Sequence, residues 1–168
     1  MKSLLLYAAV SIVTLTACGQ RVNKQSPVAE VKGSTASGTT IYIRYNQPSV
    51  RGRTIGKDLE PLPGKVWRTG ADSATAFEIN KDVKIEGKAL SAGRYALFTI
   101  ANGDDWTIIF NKDVYKWGTE YNKAEDALRV NVKAGKAKAF VEKFTITVSK
   151  AGKVDLLWGD YDVSFKVE

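Results

Sequence analysis

The sequence predicts an all-β protein: a single-domain antiparallel β-sandwich, jelly-roll-like, of eight to ten strands. Three observations carry that reading. Apolar and polar residues alternate with a period of two in four separate runs, which sends successive side chains to opposite faces of a strand. Turn signals at Glu86-Gly87, Ala92-Gly93, Asn102-Gly103 and Ala151-Gly152 break the chain at the spacing of a sandwich or jelly roll. Only Asn122 to Ala127 and Gly135 to Val141 leave room for a helical turn or two.

Taken in order, the chain opens with MKSLLLYAAVSIVTLTACGQ: one lysine, an apolar run from Leu4 to Leu15, and small residues before Cys18. A membrane span needs about 20 apolar residues, so this shorter run has the layout of a secretory signal over residues 1–17. Leu15-Thr16-Ala17-Cys18 is similar to the bacterial lipobox, which implies acylation of Cys18 and a membrane partner through that anchor. Cys18 is the only cysteine, so it has no disulfide partner within the chain. Gly19 after the cysteine resembles an outer-membrane sorting signal, and no acidic cluster follows, so a periplasm-facing outer-membrane lipoprotein is expected. Residues 18–38, rich in Lys, Ser, Thr and Gly, read as a tether in which VAEV leaves room for one edge strand.

From residue 39 to 168 a single sandwich domain is expected. Ile41, Ile43 and Tyr45 alternate with Tyr42, Arg44 and Asn46. The same holds for Leu128 to Lys133, for Lys143 to Val148, and for Asp160 to Val167. Each is a strand with one wet face. YALFTIA (95–101) and WTIIF (106–110) are instead apolar on both parities, as strands covered on both faces are. Asn102-Gly103-Asp104-Asp105 between them reads as a hairpin loop.

Composition removes many chemistries. The chain has no histidine, which excludes Ser-His-Asp and Cys-His triads and histidine-ligated zinc. With Cys18 assigned to lipid, thiol catalysis and cysteine-ligated metals go too. No phosphate-binding GxxxxGK[ST] or GxGxxG string occurs, so no cofactor and no metal are expected. Paired carboxylates survive as a route to glycan cleavage, but Asp72, Glu78, Asp104, Asp105, Asp113, Glu120 and Asp126 sit mostly beside turn residues or lysines. Twenty-five basic against 18 acidic residues leave +7, or +6 once Lys2 is cleaved away, which favours anionic neighbours. These charges are scattered rather than clustered, and nucleic acid is not an expected partner.

Several strings resemble one family. PSVRGR (48–53), GKVWRTGA (64–71), SAGRYALFTI (91–100), WTIIFNKD (106–113) and KWG (116–118) are similar, in order, to the DUF2911 family of bacterial envelope proteins, and DALRVNV and EKFTITV extend the match. That family is named for having no assigned function. The pattern usually has arginine at Gln47, asparagine at Asp72 and a tyrosine within Leu62-Pro63, so no polar role is carried over to Gln47 or Asp72.

KVWRTGADSAT (65–75) concentrates the candidate residues. As a recognition face, Arg68 offers a planar fork of donors, Trp67 a flat platform and Asp72 an acceptor, with Arg51, Arg53 and Trp117 adding charge and cover. As a corner, Trp67 is core, Arg68 pairs with an internal carboxylate, and Thr69-Gly70 makes the turn. The corner is the expectation for Arg68 itself, with Arg51, Arg53 and Trp117 as the exposed site. Trp106 and Trp158 read as core. The expected function is a binding or scaffolding module for an anionic glycan, a carbohydrate or a lipid headgroup. A carboxylate-dependent glycan hydrolase or lyase and a purely structural lipoprotein are the alternatives.

Overall fold

The computed structural model describes residues 26–114 and 120–168. Ten strands follow in order: β1 (Val28–Ser34), β2 (Thr40–Asn46), β3 (Val66–Trp67), β4 (Thr75–Ile79), β5 (Val83–Ile85), β6 (Lys88–Leu90), β7 (Gly93–Asn102), β8 (Asp105–Asn111), β9 (Asp126–Val148) and β10 (Lys153–Lys166). The main sheet runs β1-β2-β4-β7-β8-β9-β10, with β3 beside β4 on the same edge of β7, and β5 and β6 form a separate hairpin. Every pairing between these strands is antiparallel.

The sheet curls because β9 is long enough to serve two neighbours. Its first part, Asp126 to Lys133, pairs with β8, and the rest, Ala134 to Val148, pairs with β10. The β9–β10 ribbon thereby folds over the inner face of β2, β4, β7 and β8. Rings from the two layers meet there: Phe165 of β10 lies 5.6 Å from Phe110 and 6.0 Å from Phe77. Ile146 donates its amide to the Tyr45 hydroxyl at 2.9 Å, and Val50 donates to the Glu142 carbonyl, also at 2.9 Å. Burial of side chains such as Ile41, Ile43, Phe77, Phe144 and Phe165 stabilises the fold by roughly 1.5–3 kcal/mol each.

The two strands with apolar residues on both parities are indeed covered twice. Tyr95, Leu97 and Ala101 face the main core, while Ala96, Phe98 and Ile109 form a second cluster against Val66, Ile100 and Tyr121.

Two expectations become specific and one changes. β1 occupies much of the stretch read as tether, so the sheet starts at Val28 rather than at residue 39. Asn122 to Ala127 holds only a one-turn 3-10 helix, Lys123–Glu125, capped by the Asn122 side chain, which accepts the Ala124 amide at 3.0 Å. Gly135 to Val141 belongs to β9, because pairing with β10 overrides the helical preference of its alanines and lysines.

That pairing is far from regular. Between Thr145 and Lys136, β9 runs nine residues while β10 runs four, from Leu157 to Tyr161, so five residues of β9 are extra. A common bulge has one. The excess pushes Phe140 outward.

Candidate functional site

The strand register explains KVWRTGADSAT. Trp67 pairs with Thr99 and Thr75 with Leu97, so β3 and β4 are successive partners along one edge of β7. Residues 68–74 are a detour between them. Trp67 is only 3% exposed; its indole Nε1 donates to the Gly70 carbonyl at 2.9 Å, and its ring meets Phe144 edge-on at 5.1 Å. Thr69 is held at φ +54°, a conformation that costs a β-branched residue strain. Opposing that cost, the Thr75 hydroxyl donates to the Thr69 carbonyl at 2.5 Å, and the Thr69 hydroxyl donates to that of Thr99 at 3.2 Å. Gly70 passes so close to β2 that a Cβ would sit 3.0 Å from the Asn46 carbonyl oxygen. The Trp-Thr-Gly part is therefore a corner, and Trp67 is no open stacking platform.

The arginine beside it has another environment. Arg68 is half-buried and donates from Nη1 to the Asp72 carbonyl at 3.2 Å, so the internal carboxylate expected for it is not its partner. It lines a cleft of about 290 Å³ together with Arg51, Arg53, Asp58, Glu60 and the edge of Trp67. The loop after β2 builds the opposite wall. Arg51, at φ +50°, anchors its amide on Glu142 Oε1 at 2.8 Å and leaves its side chain exposed. Arg53 folds back, donating from Nε to the Val50 carbonyl at 3.1 Å and from Nη2 to the Ser49 carbonyl at 2.7 Å.

The two acids of the wall are committed elsewhere. Asp58 Oδ1 accepts the Thr54 amide at 2.6 Å, and Glu60 Oε2 accepts the Leu62 amide at 2.8 Å. Among the described residues no ion pair joins them to the three arginines. Three guanidinium groups against two carboxylates leave the cleft cationic.

Four of the expected residues, Arg51, Arg53, Trp67 and Arg68, thus converge. Asp72 does not. It is exposed at φ +58°, and its carboxylate accepts from Asn46 Nδ2 at 3.3 Å, so it braces the detour rather than facing the cleft. Cys18 and Trp117 lie outside the described residues. Trp106 and Trp158 are buried as expected.

Across Arg53 the cleft adjoins a larger groove of about 560 Å³, lined by Val50, Ile55, Lys136, Phe140, Gly159 and Tyr161, with Asp104 and Asp160 among its acids. Asp58, Glu60 and Phe140 carried no signal in the sequence. Phe140 shares the parity of the core residues Phe144 and Ile146, so alternation alone places it inside.

A second polar cluster is structural. Asp126, its side chain 10% exposed, accepts from Asn111 Nδ2 at 2.8 Å, from the Tyr121 hydroxyl at 2.6 Å and from Arg129 Nε at 2.6 Å. Burial, reinforced by the bond to Asp126, pushes the Tyr121 phenol up to about 12, against the opposing pull of Arg129. An aspartate so fully engaged pins the 3-10 turn to β8 and β9. Among the described residues no three acidic side chains gather as a metal site.

A small curled β-sandwich with a cationic cleft built by loops at one end is the class of protein these features define. The chain belongs to the DUF2911 family: the family model, described as a protein of unknown function, matches residues 26–167 and so includes β1. No curated protein and no solved structure matches the chain.

Proposed function

We propose that this protein is a periplasm-facing lipoprotein of the outer membrane, anchored through Cys18, whose sandwich binds a small anionic group, a phosphate or carboxylate borne by a glycan or a lipid headgroup. The observation that supports it is the convergence of Arg51, Arg53 and Arg68 on one cleft without an ion-pairing acid among the described residues. Guanidinium groups match the planar oxygens of carboxylate and phosphate, and Arg53 is already fixed by two backbone carbonyls. Binding is favoured over glycan cleavage because Asp58 and Glu60, the acids of this cleft, each hold a backbone amide rather than facing one another as a free acid and base.

Titration of the isotope-labelled chain with inorganic phosphate, with galacturonate and with neutral glucose tests this. Amide shifts at Arg51, Gly70 and Ala71 with the two anions, absent with glucose and absent in Arg51→Ala/Arg68→Ala, are expected. No shift with either anion would leave a structural lipoprotein as the better reading.

A further inference from the structure

We infer that the end of the sandwich carrying Ser26, Arg51 and Phe140 docks on an anionic lipid bilayer, with the Phe140 ring seated at the boundary between headgroups and acyl chains. The inference rests on the acylation of Cys18 proposed above, but not on any ligand in the arginine cleft.

Exposed apolar surface is the first observation. Among the described residues only two large apolar side chains are exposed, Phe140 at 56% and Val28 at 39%. Both lie at this end. Gln47 donates its amide to the Pro27 carbonyl at 2.9 Å, and Phe144 donates to the Pro48 carbonyl at 2.9 Å, so the start of β1 and the bulged part of β9 flank the same loop. The five extra residues of β9 hold Phe140 outward in a conformation that regular pairing would not permit.

Charge is the second. Lys136, Lys138 and Lys143 surround Phe140 in the chain, all exposed and none in an ion pair among the described residues. Arg51 and Arg53 stand on the adjacent loop. Against them are Glu142, one oxygen of which is taken by the Arg51 amide, and Asp104, Asp160, Asp58 and Glu60. Immediately around the ring, in residues 136–143, three lysines stand against the single Glu142. An aromatic ring flanked by lysines suits an anionic interface, since the ring enters the headgroup layer while the ammonium groups remain among the phosphates.

Reach is the third, and it names the occupant. Ser26 follows Cys18 by eight residue steps, and a chain of that length spans at most about 29 Å. An acyl group on Cys18 therefore holds this end of the domain, not the β5–β6 end, near the membrane. Attraction of lysines by anionic headgroups falls off within a Debye length of about 8–10 Å, a separation this tether permits.

The test uses the full lipidated chain, purified from membranes and checked by mass for the lipid on Cys18. In Ala139→Cys the new thiol is the only free one, and it takes an environment-sensitive dye. The chain is reconstituted into phosphatidylcholine vesicles with and without about 30% phosphatidylglycerol. Expected are a blue shift and protection from an aqueous quencher in the anionic vesicles only, reversed by about 0.5 M salt and removed by Phe140→Asp. The same dye at Ala89→Cys, on the β5–β6 hairpin, should not shift. A lipidated chain whose dye at 139 behaves alike in both vesicles, or no differently from the dye at 89, overturns the docking and leaves the anchor intact. A chain with no lipid on Cys18 overturns the anchor, and the docking with it.

Discussion

Trp67 and Phe140 are both aromatic residues set among cationic neighbours, yet one is 3% exposed and the other 56%. Lys65 lies two residues before Trp67 and Arg68 directly after it, and the indole is buried because β3 pairs with β7 and turns it onto Phe144. Phe140 has the parity of a core residue and is exposed because it lies inside the stretch where β9 runs five residues longer than β10, three of them between Lys136 and Val141. Local composition is therefore a poor guide to which aromatic meets a partner. The backbone partner of the strand governs it, because each strand residue inserted or omitted sends the following side chains to the opposite face.

The contrast can be tested by truncation. Trp67→Ala removes a buried ring, its bond to Gly70 and its contact with Phe144, and should cost about 3–5 kcal/mol in a urea melt. A loss under about 1 kcal/mol would mean that the corner is not packed as described.

Thr75→Val comes next. It keeps the shape but strands the Thr69 carbonyl beneath a strained backbone, at an expected cost of about 1–3 kcal/mol. An unchanged midpoint would show that this bond does not hold the detour.

Away from the corner, the Tyr121 cluster should be visible at high pH. Because the folded phenol titrates at about 12 against an ordinary value of 10.0, its contribution is complete below about pH 10 and is lost as pH rises through about 12. Wild type should lose more stability than Tyr121→Phe between about pH 9 and pH 11.5. Equal losses would place the alkaline sensitivity elsewhere.

Arg68→Ala should cost no more than about 1 kcal/mol, because its partner is a carbonyl at the edge of a cleft and not a buried carboxylate. Phosphate binding should nevertheless weaken in the titration. At the smallest end, Phe140→Ala should leave stability within about 0.5 kcal/mol, as for an exposed side chain. A loss comparable to that of Trp67→Ala would erase the distinction between the two aromatics.

Much of the architecture was legible without coordinates. Period-two runs such as Ile41, Ile43 and Tyr45 report the wet and dry faces of a strand directly, because pleating forces the alternation. The doubly apolar β7 and β8 likewise announced their central position. Arg51, Arg53, Trp67 and Arg68 could be chosen as candidates because their side chains are chemically distinctive, and they do line one cleft. The absence of histidine, and of any cysteine beyond Cys18, is a matter of composition alone and excludes the same chemistries in any fold.

Long-range pairing supplied the rest. Nothing near Lys65 states that β3 and β4 will share one edge of β7, which makes residues 68–74 a detour and turns the Trp67 face inward. Nothing near Phe140 states that β9 will carry five residues more than β10. Asp72 looked like a ligand acceptor until Asn46, 26 residues earlier, took its carboxylate. Side-chain chemistry and local periodicity are properties of neighbours in the chain and can be read there. Register, bulges and convergence depend on hydrogen bonds between segments far apart, whose free energies are settled only when all the strands compete for partners at once.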